Sequence, residues 1–580
     1  MAAMNKFLGW ASSGFRMAAG YNSPRVNPGG TPTYRAASGL TQEMAAFWPG
    51  QTSGDSGTLP NIRISLDRTR DVVRNDPHAT AALMRLVDML VGHGWQCVPT
   101  PDARALGIDP KVARQLGRVI RSEFKLFSRD PRKFCDARRR LTFNGLLRLA
   151  ARTFAVAGEA TSALKFDVER VERLGARYAT CVAQVDPDRL CNPNNMSDTL
   201  KIRGGVEFET GGAPIAYHVR NGHIADYWAP VLAMTWTRIE RETPWGRPVF
   251  IHAFEPERED QTRAITPFAA LLSRLRMIGK FADTELASAT TNALFAAFVE
   301  SDLPTEEIAE RLAPGARGNS VRASYMDHLA KYFEKNPVTL GGVRISVMPP
   351  NSKITMNGSP RQTTAFPAFQ AAFLQSIASA LGLSYEQLAM DWSKTNYSSA
   401  RAALNEVWRA IRRLQAVFAE QYVAPIYLAF LEEAFDKGYV VAPAGAPDFW
   451  DMPEAWSQCR WIGPGRGYVD PVKEAEAAAL RMEGLTSNLQ NECAEQGMDM
   501  EENIEEIAYE NELLEENNLT RLSMVAVVQA KGLTPPDSEE GEGPAGPGGE
   551  TPPAKTARPF NIGGLAAHLR ERRISEDIRE

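Results

Sequence analysis

The chain has 580 residues, 44% hydrophobic and 23% charged, with a formal net charge of −5 and a sequence pI near 6.0. That length holds several domains and a large core, the composition is ordinary for a soluble chain, and the slight acidity excludes a protein that wraps nucleic acid tightly through a basic surface. Cys97, Cys135, Cys181, Cys191, Cys459 and Cys493 form no C-x-x-C pair and read as free thiols of a reducing compartment, and no run of about 18 apolar residues predicts a membrane span.

Residues 1–60 are rich in Gly, Ser, Pro and Ala and read as an arm that is loosely ordered or ordered only by neighbours, without the apolar core of a signal peptide. Asp76 and Pro77 make an N-cap and first-turn pair. Leu83, Leu86, Val87 and Leu90 follow on one face, and Gly92 ends that helix. Further helices are predicted over 110–128 and 142–157, the second stopped by Gly158. The period then changes. Residues 160–168, 178–186, 204–209 and 215–220 read as strands, with Gly211-Gly212 as a hairpin signal, and 249–255 adds another. Strands that run together between groups of helices make an α+β fold.

A long helix is predicted from Thr266-Pro267 to about residue 300, with Leu271, Leu272, Leu275, Ile278 and Leu286 on its apolar side. At 1.5 Å per residue it spans roughly 50 Å. Residues 301–350 are mixed, with a strand at 343–348. Phe366, Phe369, Phe373, Ile377 and Leu381 mark a helix closed by Gly382. From 399 to 438 the apolar positions Leu404, Trp408, Ile411, Leu414, Phe418 and Tyr422 step by three or four, which makes one helix face. Ser398 or Ser399 caps it, Pro425 kinks it and Gly438 stops it. Between these two helices, 383–398 reads as an exposed polar loop of about 16 residues, a length that a compact domain seldom keeps without a function. Residues 445–471 are rich in Trp, Pro and Gly. An acidic helical region follows over 472–516, with Leu480, Met482, Leu485, Ile504, Ile507 and Leu513 as its candidate buried positions. Residues 533–558 read as a linker.

Catalytic signatures are missing. The chain has no GxxxxGK[ST] phosphate loop, no H-E-x-x-H, no G-x-S-x-G and no Cys/His zinc spacing, so neither an enzyme nor a cofactor is expected. Gly463, Gly465 and Gly467 follow Trp461 in a loop and do not open a helix behind a strand, which argues against a phosphate cradle. Asp186-Pro-Asp188 lacks the further oxygen ligands that calcium requires. The histidines are dispersed, with His218 and His223 the nearest pair. Arg132, Lys133 and Arg138-Arg139-Arg140 read as a solvated basic face at the start of a helix, with a nucleic-acid patch or an intersubunit ion-pair row as alternatives.

One group of residues says more. Ala380-Leu-Gly-Leu-Ser-Tyr-Glu386, then Asp391-Trp-Ser-Lys-Thr-Asn-Tyr-Ser-Ser-Ala-Arg401, then Trp408 resemble the lambda-like family of tailed-phage portal proteins. Matching segments run in order along the chain: Arg70-Asp-Val-Val-Arg-Asn-Asp-Pro77, Arg85-Leu-Val-Asp88, Ala157-Gly-Glu159, Val185-Asp-Pro-Asp-Arg-Leu190, Gly204-Gly-Val-Glu207, Gln261-Thr-Arg263, Trp461-Ile-Gly-Pro-Gly465 and Asp470-Pro-Val-Lys-Glu474. The resemblance spans roughly residues 60–515, and the order of the segments makes it specific.

The resemblance implies a portal-type α+β subunit of wing, stem, clip and crown, assembling into a closed, head-to-tail ring of about twelve copies around a central channel. It maps the wing to 61–265, the stem helices to 266–295 and 351–382, and the clip to 296–350. A tunnel loop follows at 383–398, then further wing at 399–470, crown helices at 471–532 and a tail at 533–580. Double-stranded DNA passing through the channel makes weak, non-specific contacts, which suits Ser393, Lys394, Thr395 and Asn396. Trp392, Tyr397, Arg401 and Trp408 are expected to anchor the loop or pack in the wing. The implied partners are other copies of the chain, the terminase large subunit, a head-completion or adaptor protein, and the major capsid and scaffold proteins. The implied location is the capsid vertex of a virion assembled in the host cytoplasm.

Overall fold

The computed structural model describes residues 49–295 and 366–517 except 394, 468 and 469, with isolated positions at 44, 46, 47, 327, 331, 339–340 and 343–344. Two compact units divide between Ile504 and Glu505; among the described residues the second consists of 505–517, helical to Glu516. Most of the expected clip and all of the expected tail lie outside the described residues. The strand expected at 343–348 is described only as β10 (Val343–Arg344), paired with β9 (Thr339–Leu340).

Helix α1 spans Gly54–Asn75, so 54–60 are helical where the arm was expected to continue, and most of that arm, 1–43, lies outside the described residues. Ser53 and Ser56 form a reciprocal cap at its start. Asp55 in its first turn is buried and accepts from the Thr262 amide and hydroxyl, both at 2.7 Å. These bonds outweigh a composition that favours coil, even with Pro60 inside the helix. Helix α2, Pro77–Leu90, starts as its sequence predicts: Asp76 accepts from the amides of His78 and Ala79 at 2.9 Å.

Strand β1 (Gln96–Pro99) leads to α3 (Pro110–Ser128), which is capped by Asp109 and buries Leu116, Ile120, Phe124 and Phe127. Helix α4 (Phe143–Ala157) is capped by Thr142 and ends at Gly158, whose φ is +83°. A Cβ on Gly158 would meet the Ile265 carbonyl oxygen at 2.4 Å, so this turn requires glycine for both space and conformation.

The strands β2 (Glu159–Phe166), β3 (Thr180–Val185) and β8 (Phe250–Phe254) form an antiparallel sheet with β2 in the centre. Helix α5 (Val168–Leu174) lies between β2 and β3 in sequence. A second antiparallel sheet has the order β4 (Ile202–Arg203), β5 (Val206–Phe208), β6 (Pro214–Arg220), β7 (Trp236–Glu240). Strand β7 is largely solvent-facing and polar, so its sequence carries no apolar alternation to announce it.

The long helix α6 begins at Leu272 and is described to Phe295. Residues 266–271 form a turn before it, held by the Ala269 amide on the Thr266 carbonyl at 3.0 Å. Leu271, Leu275 and Ile278 are buried as expected, whereas Leu286 is 70% exposed. Helix α7 (Phe366–Ala380) meets α6 through Phe369 and Phe281, with ring centroids 4.7 Å apart.

Beyond α7 come α8 (Tyr385–Ala389) and α9 (Tyr397–Phe418). A π-helical turn, Ala419–Val423, then precedes α10 (Ala424–Asp436). The irregularity falls one turn before Pro425, where the missing amide allows it, and Gly438 at φ +67° follows the end. After the short α11 (Pro453–Trp456), strand β11 (Cys459–Ile462) pairs antiparallel with β1, and α12 (Pro471–Glu483), α13 (Leu489–Glu495) and α14 (Met500–Glu516) follow.

The acidic helices correct another expectation. Leu480 is 66% exposed, Leu485 91%, Ile504 47% and Leu513 40%. Within the first unit, ion pairs hold this region: Arg481 to Glu492 at 2.7 Å, Arg412 to Glu495 at 3.2 Å and Arg121 to Asp499 at 2.5 Å.

Candidate functional site

The stretch before α9 is shorter than its polarity suggests. Gly382, at φ +69°, turns the chain out of α7, and Leu383 is buried directly after it. Ser384 and Gln387 then form a capping box that starts α8, whose Leu388 is also buried. The signal Ser384-Tyr-Glu-Gln387 was present in the sequence. The expected loop over 383–398 is thus a one-turn helix plus an irregular segment, 390–396, entered through Met390 at φ +55°.

Within that segment the polar side chains are occupied locally. Ser393 donates its hydroxyl to Asp391 at 2.6 Å, and its amide points to the same oxygen at 3.1 Å. Thr395 donates its hydroxyl to Glu386 at 3.3 Å and its amide to the Trp392 carbonyl at 3.2 Å. Asn396, in place of Ser398 or Ser399, caps α9 by accepting from the Ser399 amide at 2.9 Å. Trp392 is 42% exposed. Lys394 and the Tyr397 side chain lie outside the described residues.

Helix α9 carries the segment into the core. Trp408 is 8% exposed and joins a cluster with Phe268, Leu275, Ile377, Leu383, Leu388 and Ile411. That cluster gathers α1, α2, α6, α7, α8 and α9, so the exposed segment rests on one apolar base. Arg401 reaches Glu474 of α12 at 3.5 Å, and Glu474 also takes Arg466 at 2.8 Å. Residues Ser398–Asp436 are long and apolar enough to cross a membrane by length and composition. Phe418, Tyr422, Val423 and Phe430 are nevertheless fully buried against Phe124, Phe143 and Phe154, which makes this a core helix.

Behind this base lies a buried polar node that the sequence reading did not single out. It joins five of the segments that carry the resemblance. The Arg263 Nε lies 3.0 and 2.8 Å from the two carboxylate oxygens of Glu159. Its Nη1 donates to the carbonyls of Leu190 and Gly204 at 2.7 Å, and its Nη2 donates to that of Pro187 at 3.0 Å. His252 Nε2 stands 2.9 Å from Glu159. Beside it, Arg70 binds both Asp186, at 2.6 Å, and Asp188. A guanidinium therefore occupies the place between the two carboxylates where a cation would be sought.

Burial alone would raise the Glu159 carboxyl. The charge and hydrogen bonds of Arg263, with those of His252, outweigh it and hold Glu159 at about 2. Burial pushes His252 down despite Glu159, so the imidazole is neutral near pH 7.

The basic run also differs from its expectation. Arg138, Arg139 and Arg140 are exposed, but they lie in a turn before Thr142 and not on the helix. Asp136 pins that turn by accepting from the amides of Arg138, Arg140 and Leu141 at 2.9, 2.8 and 3.0 Å. Arg132 and Arg139 stack on Phe134.

Residues 41–415 match the model of the lambda family of phage portal proteins. The portal protein of Escherichia phage N15 is 32% identical over 469 residues, covering 80% of this chain and 87% of that protein. Portal protein B of Escherichia phage lambda is 32% identical over the same length, covering 80% and 86%. The probable portal protein of Halomonas phage phiHAP-1 is 24% identical over 489 residues, covering 82% and 86%. Among solved structures, a chain from the neck of an empty gene transfer agent particle, computed with C6 symmetry, aligns with a TM-score of 0.38 at 14% identity, over 75% of this chain and 94% of that one.

Proposed function

Because the chain belongs to the lambda family of phage portal proteins, a virion component, we propose that its copies form a ring-shaped channel at one capsid vertex. Double-stranded DNA enters through it during packaging and leaves through it at ejection. The observation that carries this reading is the family match over 41–415, together with relatives that align over 80% of the chain.

The surface of one helix pair supports it. Helices α6 and α7 pack as a pair and leave Met277, Leu286 and Phe369 60%, 70% and 43% exposed. A neighbouring copy in a ring would cover such a surface. On this reading α6 and α7 are the stem, the sheets with α9 and α10 are the wing, and the residues between α6 and α7 are the clip. The clip meets the terminase large subunit first and a head-completion protein later, while major capsid and scaffold proteins surround the ring during assembly in the host cytoplasm. The role is structural, with no catalytic step.

The segment 390–396 is the tunnel loop in this assignment. It is narrower than the sequence suggested, and Ser393 and Asn396 remain exposed while serving the loop's own bonds. Weak contacts of that kind suit DNA that must slide.

Electron microscopy of the purified chain, classified for rotational symmetry, tests the proposal. Rings of about twelve copies with a hole wide enough for duplex DNA are expected. Monomers or dimers across salt and concentration, including in the presence of scaffold and capsid proteins, would overturn it.

A further inference from the structure

Cys97 and Cys459 are 362 positions apart in sequence, yet they make the one thiol–thiol contact found among the described residues. In the β1–β11 ribbon, Cys97 stands opposite Trp461 and Cys459 opposite Pro99. The two cysteines are therefore diagonal neighbours on the same face. Their Sγ atoms are 3.2 Å apart. That is closer than two sulfurs in ordinary contact, and about 1.2 Å from the disulfide length of roughly 2.05 Å.

The surroundings hold the pair in this geometry. Trp461, on the same face, meets Phe124 and Tyr427 edge-on at 5.8 and 5.5 Å, which fixes β11 against the core. Cys97 is 8% exposed and Cys459 is half-buried, so Cys459 is the sulfur that a soluble oxidant meets first. Burial pushes the Cys97 thiol well up, so it rests protonated near neutral pH.

We propose that Cys97 and Cys459 are a disulfide site, closed once the protein leaves a reducing compartment. The bond itself rests on geometry. Its timing rests on the reading of the chain as a virion component, which ends in a medium without cellular reductant.

The chemistry balances with a small-molecule disulfide as oxidant. The Cys459 thiolate attacks one sulfur of the oxidant and expels a small thiolate, leaving a mixed disulfide on Cys459. Cys97, losing its proton to that departing thiolate, attacks the Cys459 sulfur and expels the second thiolate, which takes up the proton Cys459 lost. Two protein thiols lose two electrons and two protons, and the oxidant becomes two small thiols. The product ties β1 to β11, the strand from which the chain runs on into α12 and α13. It closes a loop containing nearly the whole core, the situation in which a cross-link restrains the unfolded chain most.

The test uses the full chain, freed of reductant and incubated with oxidised glutathione. Two of its six thiols should disappear, and a peptide linking Cys97 to Cys459 should appear in a non-reducing digest. The thermal midpoint should rise by about 5 °C, reversibly with dithiothreitol. Cys459→Ser and Cys97→Ser should each abolish the shift, and circular dichroism checks that each variant folds. Six remaining thiols, a different linked pair, or glutathione held on Cys459 without closure would overturn the site. Alkylation of virus particles collected after lysis reads the timing separately: an unlinked pair there, with closure in the purified chain, overturns the timing alone. Ring formation is scored independently by microscopy, so failure of the bond and failure of the portal reading are distinguishable.

Discussion

Arg263 holds Glu159 across 104 positions of sequence, with its Nε at 2.8 and 3.0 Å from the carboxylate oxygens, and the two side chains are only 4% and 1% exposed. The same guanidinium collects the carbonyls of Pro187, Leu190 and Gly204. Five acceptors on three chain segments thus converge on one planar cation. This explains why short matching segments scattered over the sequence belong together: they are parts of one buried junction between the two sheets and the turn that precedes α6.

Removing one partner leaves the other charge buried and unpaired. Glu159→Gln is expected to cost about 3–5 kcal/mol of stability at pH 7, read as a lower urea midpoint with an unchanged slope. Arg263→Lys should lose nearly as much, because a single ammonium cannot reach the carbonyls that the guanidinium fork spans. A loss below about 1 kcal/mol in both variants would mean that the node is dispensable.

The node also sets an acid response. His252 has its folded-state pKa pushed below the usual value, so stability falls as pH drops from about 6.5, where the unfolded chain begins to take up a proton that the folded one refuses. Glu159 is held at about 2, so a second loss follows between about 4.5 and 2, on the order of 3 kcal/mol. Both groups bind protons better when unfolded, and the two losses have the same sign. Urea midpoints measured from pH 7.5 to pH 2 should show His252→Gln removing the upper step only. A wild-type curve that is flat over pH 7.5–5.5 would refute the assignment.

Trp408 lies on the apolar base under the exposed segment, 8% exposed and in one cluster with Ile377, Leu388 and Ile411. Trp408→Ala is expected to cost about 3–5 kcal/mol through lost burial and the cavity left behind. The thermal midpoint should fall by several degrees. An unchanged midpoint would contradict the helix face that places this residue.

How much was legible follows from where the determinants lie. Asp76-Pro77, Asp109-Pro110, Thr142 and Gly158 act within a few residues of themselves, so the helices they bound were readable to within a residue or two. Strands β1 and β11 have four residues each and pair across the chain, and nothing local distinguishes Gln96–Pro99 from coil. Helix α1 hid behind Gly, Ser and Pro because its anchor, Asp55 to Thr262, is a long-range bond. In the acidic helices, apolar periodicity suggested buried faces, but Leu480 and Leu485 are open in the single chain while Arg481, Arg412 and Arg121 make ionic contacts. At the candidate site, Trp408 and the polar character of 391–396 were readable. The one-turn helix α8 was announced by its capping box and overlooked because it is a single turn that runs on into the polar stretch 391–398.

Asp499 has two tasks that one substitution removes together. It pairs with Arg121 at 2.5 Å, where the side chains are 3% and 12% exposed, and it accepts from the Glu502 amide at 3.2 Å at the start of α14. Asp499→Ala should lower the protection of amides over 489–504 by about 2–3 kcal/mol while the rest of the chain exchanges as before. Salt should have little effect on this contact, because it is buried, and more on Arg118 with Glu501, where the arginine is 58% exposed. Uniform loss of protection along the chain would show that α13 and α14 fold together with the core.

The last prediction separates the two tasks of the segment 390–396. Asn396 caps α9, so Asn396→Ala should cost about 1 kcal/mol of stability and leave assembly intact. Ser393 closes a turn on Asp391 and stays exposed, so Ser393→Ala should change the melting temperature little. Lys394 is the segment's only cation, and Lys394→Ala removes its one attraction for phosphate. If the segment lines a DNA channel, Lys394→Ala should form rings like the parent chain and alter the amount of DNA packaged or retained in particles. Asn396→Gly, which keeps most of the capping strength, should leave packaging near normal. Loss of rings in Lys394→Ala would make that residue structural, and normal packaging in Lys394→Ala would remove the segment from the channel wall.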